Sequence, residues 1–374
     1  MLSRFAHEMF SCSRCGFCRE WHWKGVENVC PTYPYTPGFE TNYARGRVRM
    51  AQAFMGKEIE VTEAFLRDVF LCTLCGSCDA HCPVEIPLHE IFQALRADLA
   101  EAGYLLPAHR QIVSNIEIYC NLYGPRRGRK GASALRSARA SILYFPGCTT
   151  TRKARGIFAS VIKVLDKLGQ DYVVLEEDAC CGYPLYEIGQ MSAMREAAAR
   201  TLDLIEQREP DIVLISCPGC YYALKVLYPE KLGLSPGFQV QYVTAFLLPL
   251  IAGKTLAQHP AKVTWHDPCV LGRHLGIYDE PRELLRAIPR LELIEMHSNH
   301  ENALCCGAGG GMLSAFPEIA GQVATRRLEQ AKAAGAQELV TSCPACYLNF
   351  RRIVGRAGLD LQVRDLAELI SEVI

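Results

Sequence analysis

No stretch of this sequence comes close to the 18 or more apolar residues that a membrane-crossing helix requires. The longest candidate, Val243 to Gly253, covers only 11 residues and contains Pro249. The opening Met1-Leu2-Ser3-Arg4-Phe5-Ala6-His7-Glu8 has no apolar signal core, and cysteines begin at Cys12, where a signal would still be running. Net charge is missing as well: 40 basic residues balance 40 acidic ones, so no overall field draws the chain to nucleic acid or an anionic membrane. There is no Ser-His-acid arrangement and no phosphate loop. The glycine run Gly307-Ala308-Gly309-Gly310-Gly311 lacks the G-x-G-x-x-G spacing of a dinucleotide site and reads as a flexible cover. These absences lead us to expect a cytoplasmic chain, or one held at the inner face of the cell membrane only through a partner subunit.

Cysteine, by contrast, is abundant: 19 in 374 residues. Secreted disulfide scaffolds are short, so metal-bound thiolates in a reducing compartment account better for this number. Ten of the cysteines fall into two copies of one pattern. The first is Cys148, Cys180-Cys181-Gly182 and Cys217-Pro218-Gly219-Cys220; the second is Cys269, Cys305-Cys306-Gly307 and Cys343-Pro344-Ala345-Cys346. Five thiolates per copy is one more than a tetrahedral zinc or an ordinary cubane cluster uses. Zinc on four of the five, or plain buried thiols, is the blander alternative. Gly182 and Gly307 are read as places where the backbone approaches a cofactor without an intervening side chain.

The repeat extends beyond the cysteines. Ser141 to Phe145 leads to Cys148 as Lys262 to Trp265 leads to Cys269. Asp211 to Ser216 precedes Cys217 as Glu338 to Ser342 precedes Cys343, and Val240 to Thr244 corresponds to Leu361 to Asp365. Helical periodicity follows over 155–168, 191–208, 281–287 and 317–334. Strand, cysteine loop and helix in alternation predict two repeated cysteine-rich α/β lobes with parallel sheets, over 141–258 and 259–374. Before them, 1–125 reads as an α-helical two-cluster unit, with an amphipathic segment Ile86 to Ala102 stopped by Gly103. A basic linker, 126–140, joins the parts.

The first unit carries Cys12-x2-Cys15-x2-Cys18, Cys30-Pro31 and Cys72-x2-Cys75-x2-Cys78-x3-Cys82-Pro83. The second half matches the bacterial ferredoxin run, whose fourth cysteine serves the other cluster in two-cluster proteins. Cys12, Cys15, Cys18 and Cys82 are therefore expected to hold one [4Fe-4S] cubane, and Cys72, Cys75, Cys78 and Cys30 a second. An insertion with Trp21, His22 and Trp23 lengthens the step from Cys18 to Cys30. A pair of zinc sites is the weaker reading, because zinc favours separated pairs over triplets.

The double pattern behind a two-cluster unit, with Cys180-Cys181-Gly182-Tyr183-Pro184-Leu185 and His266-Asp267-Pro268-Cys269, resembles the D-type subunit of heterodisulfide reductase over essentially the whole chain. The resemblance implies a non-cubane [4Fe-4S] cluster in each lobe, held by Cys148, Cys180, Cys181, Cys217 and Cys220 and by Cys269, Cys305, Cys306, Cys343 and Cys346. A small or protein disulfide would be reduced between them, or thiols oxidised in reverse. A flavoprotein or membrane cytochrome b would be the redox partner. Cys30-Pro31-Thr32-Tyr33 and Arg45-Gly46-Arg47 also resemble iron–sulfur subunits of flavin-dependent glycolate, lactate or glycerol-3-phosphate dehydrogenases. That branch implies an electron relay to a quinone or membrane cytochrome instead.

The other polar residues give weaker signals. His266 and Asp267, beside Cys269, are placed to pass a proton to a leaving thiolate or to orient the loop; a backbone-bonded loop histidine is the plain alternative. Arg273 and His274 read as neutralisers of an anionic substrate or as solvated surface. His81 reads as packing between ferredoxin ligands. Cys120 stands outside every set and reads as a free buried thiol.

Overall fold

The computed structural model describes residues 1–20, 28–125 and 140–374. The Trp21-His22-Trp23 insertion and all but the last residue of the basic linker lie outside them. A helical unit is followed by two α/β lobes. Its helices Ala44–Met55, Glu63–Phe70 and Leu88–Glu101 close on Val48, Val69, Ile91 and Leu95. Helix Pro107–Tyr119 then lays Ile112 and Ile116 into the core of the first lobe.

The lobes share one topology. Strands β1 (Ile142–Phe145), β2 (Tyr172–Val174), β3 (Ile212–Ile215) and β4 (Gln239–Tyr242) form a parallel sheet in the order β2-β1-β3-β4. Strands β5 (Lys262–Trp265), β6 (Glu292–Leu293), β7 (Glu338–Thr341) and β8 (Gln362–Asp365) repeat it as β6-β5-β7-β8. Central strands of a parallel sheet are covered on both faces, which explains unbroken apolar runs such as Ile142-Leu143-Tyr144-Phe145. Alternate residues of β1 face opposite cores: Leu143 and Phe145 one, Ile142 and Tyr144 the other.

That second core is common to both lobes. It joins Tyr144, Val161 and Leu214 of the first to Trp265, Val340 and Ile370 of the second. Helix Arg155–Lys167 thus packs with the closing helix Leu366–Val373, which starts at Asp365 with a capping box to Glu368. Tyr242, at the end of β4, donates its hydroxyl to the Ser342 carbonyl beside Cys343.

In each sheet the chain leaves the first strand for one neighbour and returns to pair on its other side. Crevices at such switch points, beyond the carboxyl ends of the strands, are where open α/β sheets bind ligands. Cys148 and Cys217 follow β1 and β3; Cys269 and Cys343 follow β5 and β7. The edge strands β2 and β6 are short and carry no cysteine. Among the described residues, no helix is long and apolar enough to cross a membrane; Val243–Ile251 forms a helix of 9 residues.

Candidate metal centre

Each lobe draws its five sulfurs into one chain of contacts, and the order is the same in both. In the first it runs Cys148, Cys180, Cys181, Cys220, Cys217. In the second it runs Cys269, Cys305, Cys306, Cys346, Cys343. Cys217 caps helix Pro218–Tyr222 and Cys343 caps helix Pro344–Ala357, so Cys220 and Cys346 sit in a first turn. Exposed backbone N–H groups there favour thiolate over thiol. Contacts with Cys180 and Cys220 draw Cys181 down to about 6. Cys220 and Cys346 are pushed well up by the sulfurs beside them. Five crowded, buried sulfurs cannot all ionise without a cation among them, which is the chemistry of a multi-metal ligand set.

Gly147 permits this crowding. Its φ is +75°, and a Cβ there would lie 2.9 Å from Cys220 Sγ. Gly182 and Gly307 also have positive φ, +76° and +86°. A Cβ at either would strike the helix behind it, at Met194 or at the Ala320 carbonyl and Val323. Their service is thus to pack the CCG turn down on that helix.

The two sulfur chains face one another across a shared cavity with about 1310 Å³ of atom-free space, part of it open to solvent. Cys148, Cys181, Cys217 and Cys220 line one side, and Cys269, Cys306, Cys343 and Cys346 the other. Ile112, Leu122, Val270, Leu313 and Leu348 make much of the remaining wall apolar. Cys180 and Cys305 point away from it. Cys305 reaches the sulfur of Cys75, linking the second lobe directly to the ferredoxin-type ligands.

The helical unit gathers its cysteines in the two expected groups of four. Cys12, Cys15, Cys18 and Cys82 line a hollow with about 340 Å³ of atom-free space, and Cys30, Cys72, Cys75 and Cys78 one with about 360 Å³, each partly open to solvent. Cys18 lies close enough to Cys30 and Cys78 for their charges to interact, so the two hollows adjoin. Cys15 is exposed, whereas Cys75 is buried, which sets an outer and an inner group. Buried Arg47 supports the inner one, with Nη1 4.0 Å from Cys30 Sγ.

Several residues that the sequence left unmarked hold the parts together. Arg96 is fully buried and donates to Val69 and Cys72 in its own unit, to Glu187 in the first lobe and to Gly310 in the second, at 2.6–3.1 Å. Burial lowers its pKa to about 10. Glu187 lines the shared cavity and accepts from Gly310 N at 2.6 Å. Burial raises it to about 7, against the pull of that N–H and of Arg96. The only hint in the sequence was position: seven residues beyond Cys180, one turn along the CCG helix. The glycine run is not a flexible cover. Gly310 packs on the Cys72 carbonyl so closely that a Cβ would come within 2.4 Å, which leaves glycine as the residue that fits.

His266 is fully buried and does not line the cavity; it lies with Cys306 and Cys346 in one group of candidate ligands within 4.8 Å. Asp267 is held by both arms of Arg282, at 2.7 and 2.9 Å, and by Trp265 and His300. Arg273 and His274 are part-buried and do not line the cavity: they bond the Cys75 and Leu74 carbonyls at 2.7 and 3.0 Å. His81 bridges Ser77 and Asn302, packing the helical unit on the second lobe. Cys120 is half-buried, in the left-handed C-cap of its helix, instead of inside a core.

Comparison with known proteins agrees with this geometry. The cysteine-rich CCG domain family matches 142–225 and again 263–351, and the 4Fe-4S dicluster domain family matches 8–86. The D-type subunit of the dihydromethanophenazine:CoB–CoM heterodisulfide reductase of Methanosarcina barkeri is 32% identical, over 98% of this chain and 94% of its own length. One subunit of the fumarate reductase (CoM/CoB) of Methanothermobacter marburgensis is 30% identical, over 81% of this chain and 61% of its own. Among solved structures, a hypothetical protein from Helicobacter pylori covers 86% of this chain, which spans 66% of it, with a TM-score of 0.60 at 12% identity, a likeness of fold. This chain therefore belongs to the CCG-domain iron–sulfur oxidoreductases, in the family of the D-type subunit of heterodisulfide reductase.

Proposed function

We propose that this iron–sulfur oxidoreductase subunit reduces a disulfide, or oxidises thiols in reverse, between its two lobes. The observation that carries the reading is the single cavity walled by four cysteines from each lobe. Cys12, Cys15, Cys18 and Cys82 would hold one cubane, and Cys30, Cys72, Cys75 and Cys78 another. Each five-cysteine chain would hold a non-cubane cluster. Bound there, such clusters supply single electrons and iron sites able to stabilise thiolate sulfur. One disulfide, two electrons and two protons give two thiols, so two facing sites divide the electron demand evenly.

The chain's own residues perform the rest. The apolar walls at Ile112, Leu122, Val270 and Leu348 would limit the water around the reacting sulfurs. Glu187 keeps a proton near neutral pH at the cavity wall and is suited to protonate a departing thiolate. The adjoining hollows, then Cys75 beside Cys305, suggest an electron route from exposed Cys15 inward to the second lobe. A partner subunit, a flavoprotein or membrane cytochrome, would dock at the Cys15 end.

The test is an iron and acid-labile sulfide count on anaerobically purified protein, followed by oxidation of reduced viologen driven by a disulfide. About sixteen irons per chain with disulfide-dependent turnover supports the proposal. About eight irons without turnover would replace it with an electron-relay role.

A further inference from the structure

The lobes repeat each other in strand order and in their sulfur chains, but not in the charges packed beside those sulfurs. Four residues after Cys269, Arg273 lodges its guanidinium between two cysteine sets. Nε donates to the Cys75 carbonyl at 2.7 Å, and Nη1 to the carbonyls of Ala303 at 2.7 Å and Glu301 at 3.1 Å. Nη2 is buried with no hydrogen-bond partner among the described residues. All these partners are neutral, and among the described residues no carboxylate pairs with Arg273. Burial acts to lower its pKa, yet Cys75, Cys269 and Cys305 outweigh that and raise it, which puts all three close by. The residue at the same offset after Cys148 is Arg152. There the fork closes on Asp178, Nε at 3.2 Å and Nη2 at 2.6 Å. One lobe neutralises its arginine; the other does not.

His266 adds to the asymmetry. Arg327 Nε donates to His266 Nδ1 at 3.2 Å. A guanidinium has only donors, so Nδ1 must accept and the ring proton sits on Nε2. Nε2 is buried and has no hydrogen-bond partner among the described residues, while the ring lies against Cys306. A protonated Nε2 cannot bind iron through a lone pair, but it can donate to sulfur. The residue at the same offset before Cys148 is Phe145, whose side chain has no donor to offer. Asp267, the carboxylate next to His266 in sequence, is already taken by Arg282.

We propose that Arg273 and His266 hold the second-lobe cysteine site at a higher reduction potential than the first, so that an electron leaving the ferredoxin-type unit settles first beside Cys305. Positive charge and hydrogen bonds to sulfur both stabilise the reduced, more negative state of an iron–sulfur centre. Both residues act through the sulfurs and are positioning residues. The inference rests on the four-cluster reading above.

The experiment is an anaerobic potentiometric titration of the full chain, followed by electron paramagnetic resonance. The two lobes should give separate midpoints, and the higher should vanish in Cys306→Ser. Arg273→Gln should lower that midpoint toward the other, and Arg273→Lys should preserve most of the gap. Asp178→Asn, which frees Arg152, should raise the first-lobe midpoint. An unmoved midpoint in Arg273→Gln at full iron load, or a first lobe that titrates higher, overturns the proposal. If Arg273→Gln loses iron, an unmoved first-lobe midpoint in Asp178→Asn overturns it instead. About sixteen irons with coincident midpoints would remove this inference alone, whereas about eight would remove the four-cluster reading and the inference with it.

Discussion

The first and second lobes present the same four-stranded parallel sheet and the same order of sulfur contacts, yet they differ in what surrounds the sulfurs. Cys180 points to the outer side, where Cys120 and Asp178 share a surface hollow with it. Its counterpart Cys305 points inward, to Cys75 and the ferredoxin-type unit. The first lobe pairs Arg152 with Asp178, while in the second no carboxylate among the described residues pairs with Arg273, and His266 lies against Cys306. The repeat gives both lobes the same order of sulfur contacts, and only in the second does one of those sulfurs meet the helical unit among the described residues. Identical ligand sets need not be equivalent redox sites, because potential depends on the charges and donors beyond the ligands.

The comparison can be broken most severely at the middle of either sulfur chain. Cys181→Ser and Cys306→Ser should each reduce disulfide turnover by ~100-fold or more, if both lobes are required. Iron should fall by about four per chain in each variant while the other lobe stays loaded. Full activity in one of the two would show that a single lobe suffices.

Glu187→Gln comes next, and it bears on the cavity that the lobes share. With the acid required protonated, wild-type disulfide reduction should fall as pH rises through about 7. The glutamine variant should lose about 100-fold in kcat at the optimum and lack that limb. Glutamine still offers an oxygen to Gly310 N–H, so an unchanged pH profile would remove the acid role.

Arg96→Met probes how the lobes are joined. It leaves carbonyls of Val69, Cys72, Glu187 and Gly310 without their donor. The loss should be about 3 kcal/mol or more, read as earlier unfolding in urea and faster proteolysis between the units. The smallest effect is expected at Cys120, which belongs to neither chain. Cys120→Gly should leave iron and turnover unchanged and stabilise the protein by about 1 kcal/mol, because φ is +52° there.

Much of the fold could be read from local pattern. Four runs per lobe were expected to turn into helix or strand, and Arg155–Lys167, Met191–Glu206 and Pro317–Ala333 fall within a residue or two of their periodic spans. The strands before Cys148, Cys217, Cys269 and Cys343 were equally plain, since buried parallel strands are continuous apolar runs. The edge strands Tyr172–Val174 and Glu292–Leu293 went unmarked, being two or three residues long with no repeat to expose them. Arg96 was invisible for another reason. Its helix is amphipathic in the ordinary way, and nothing in sequence says that an arginine within it will meet carbonyls 91 and 214 residues distant. Arg273 read as a neutraliser of substrate or as surface, because its partners, Cys75, Glu301 and Ala303, lie on other segments.

The sequence by itself determined the chemistry class and the repeat. Cysteine spacing is local, and triplets, CCG turns and C-x2-C steps constrain which sulfurs can meet whatever the surroundings. It also determined the lobes, because period-two and helical patterns are properties of short windows. Only the tertiary structure decided that the two five-cysteine chains open onto one cavity, that Cys305 and not Cys180 touches the ferredoxin-type unit, and where Glu187, Arg96, His266 and Arg273 find their partners. Those facts depend on burial and on charges brought together from distant segments. Desolvation and Coulomb interaction act through space, so no window of sequence contains them.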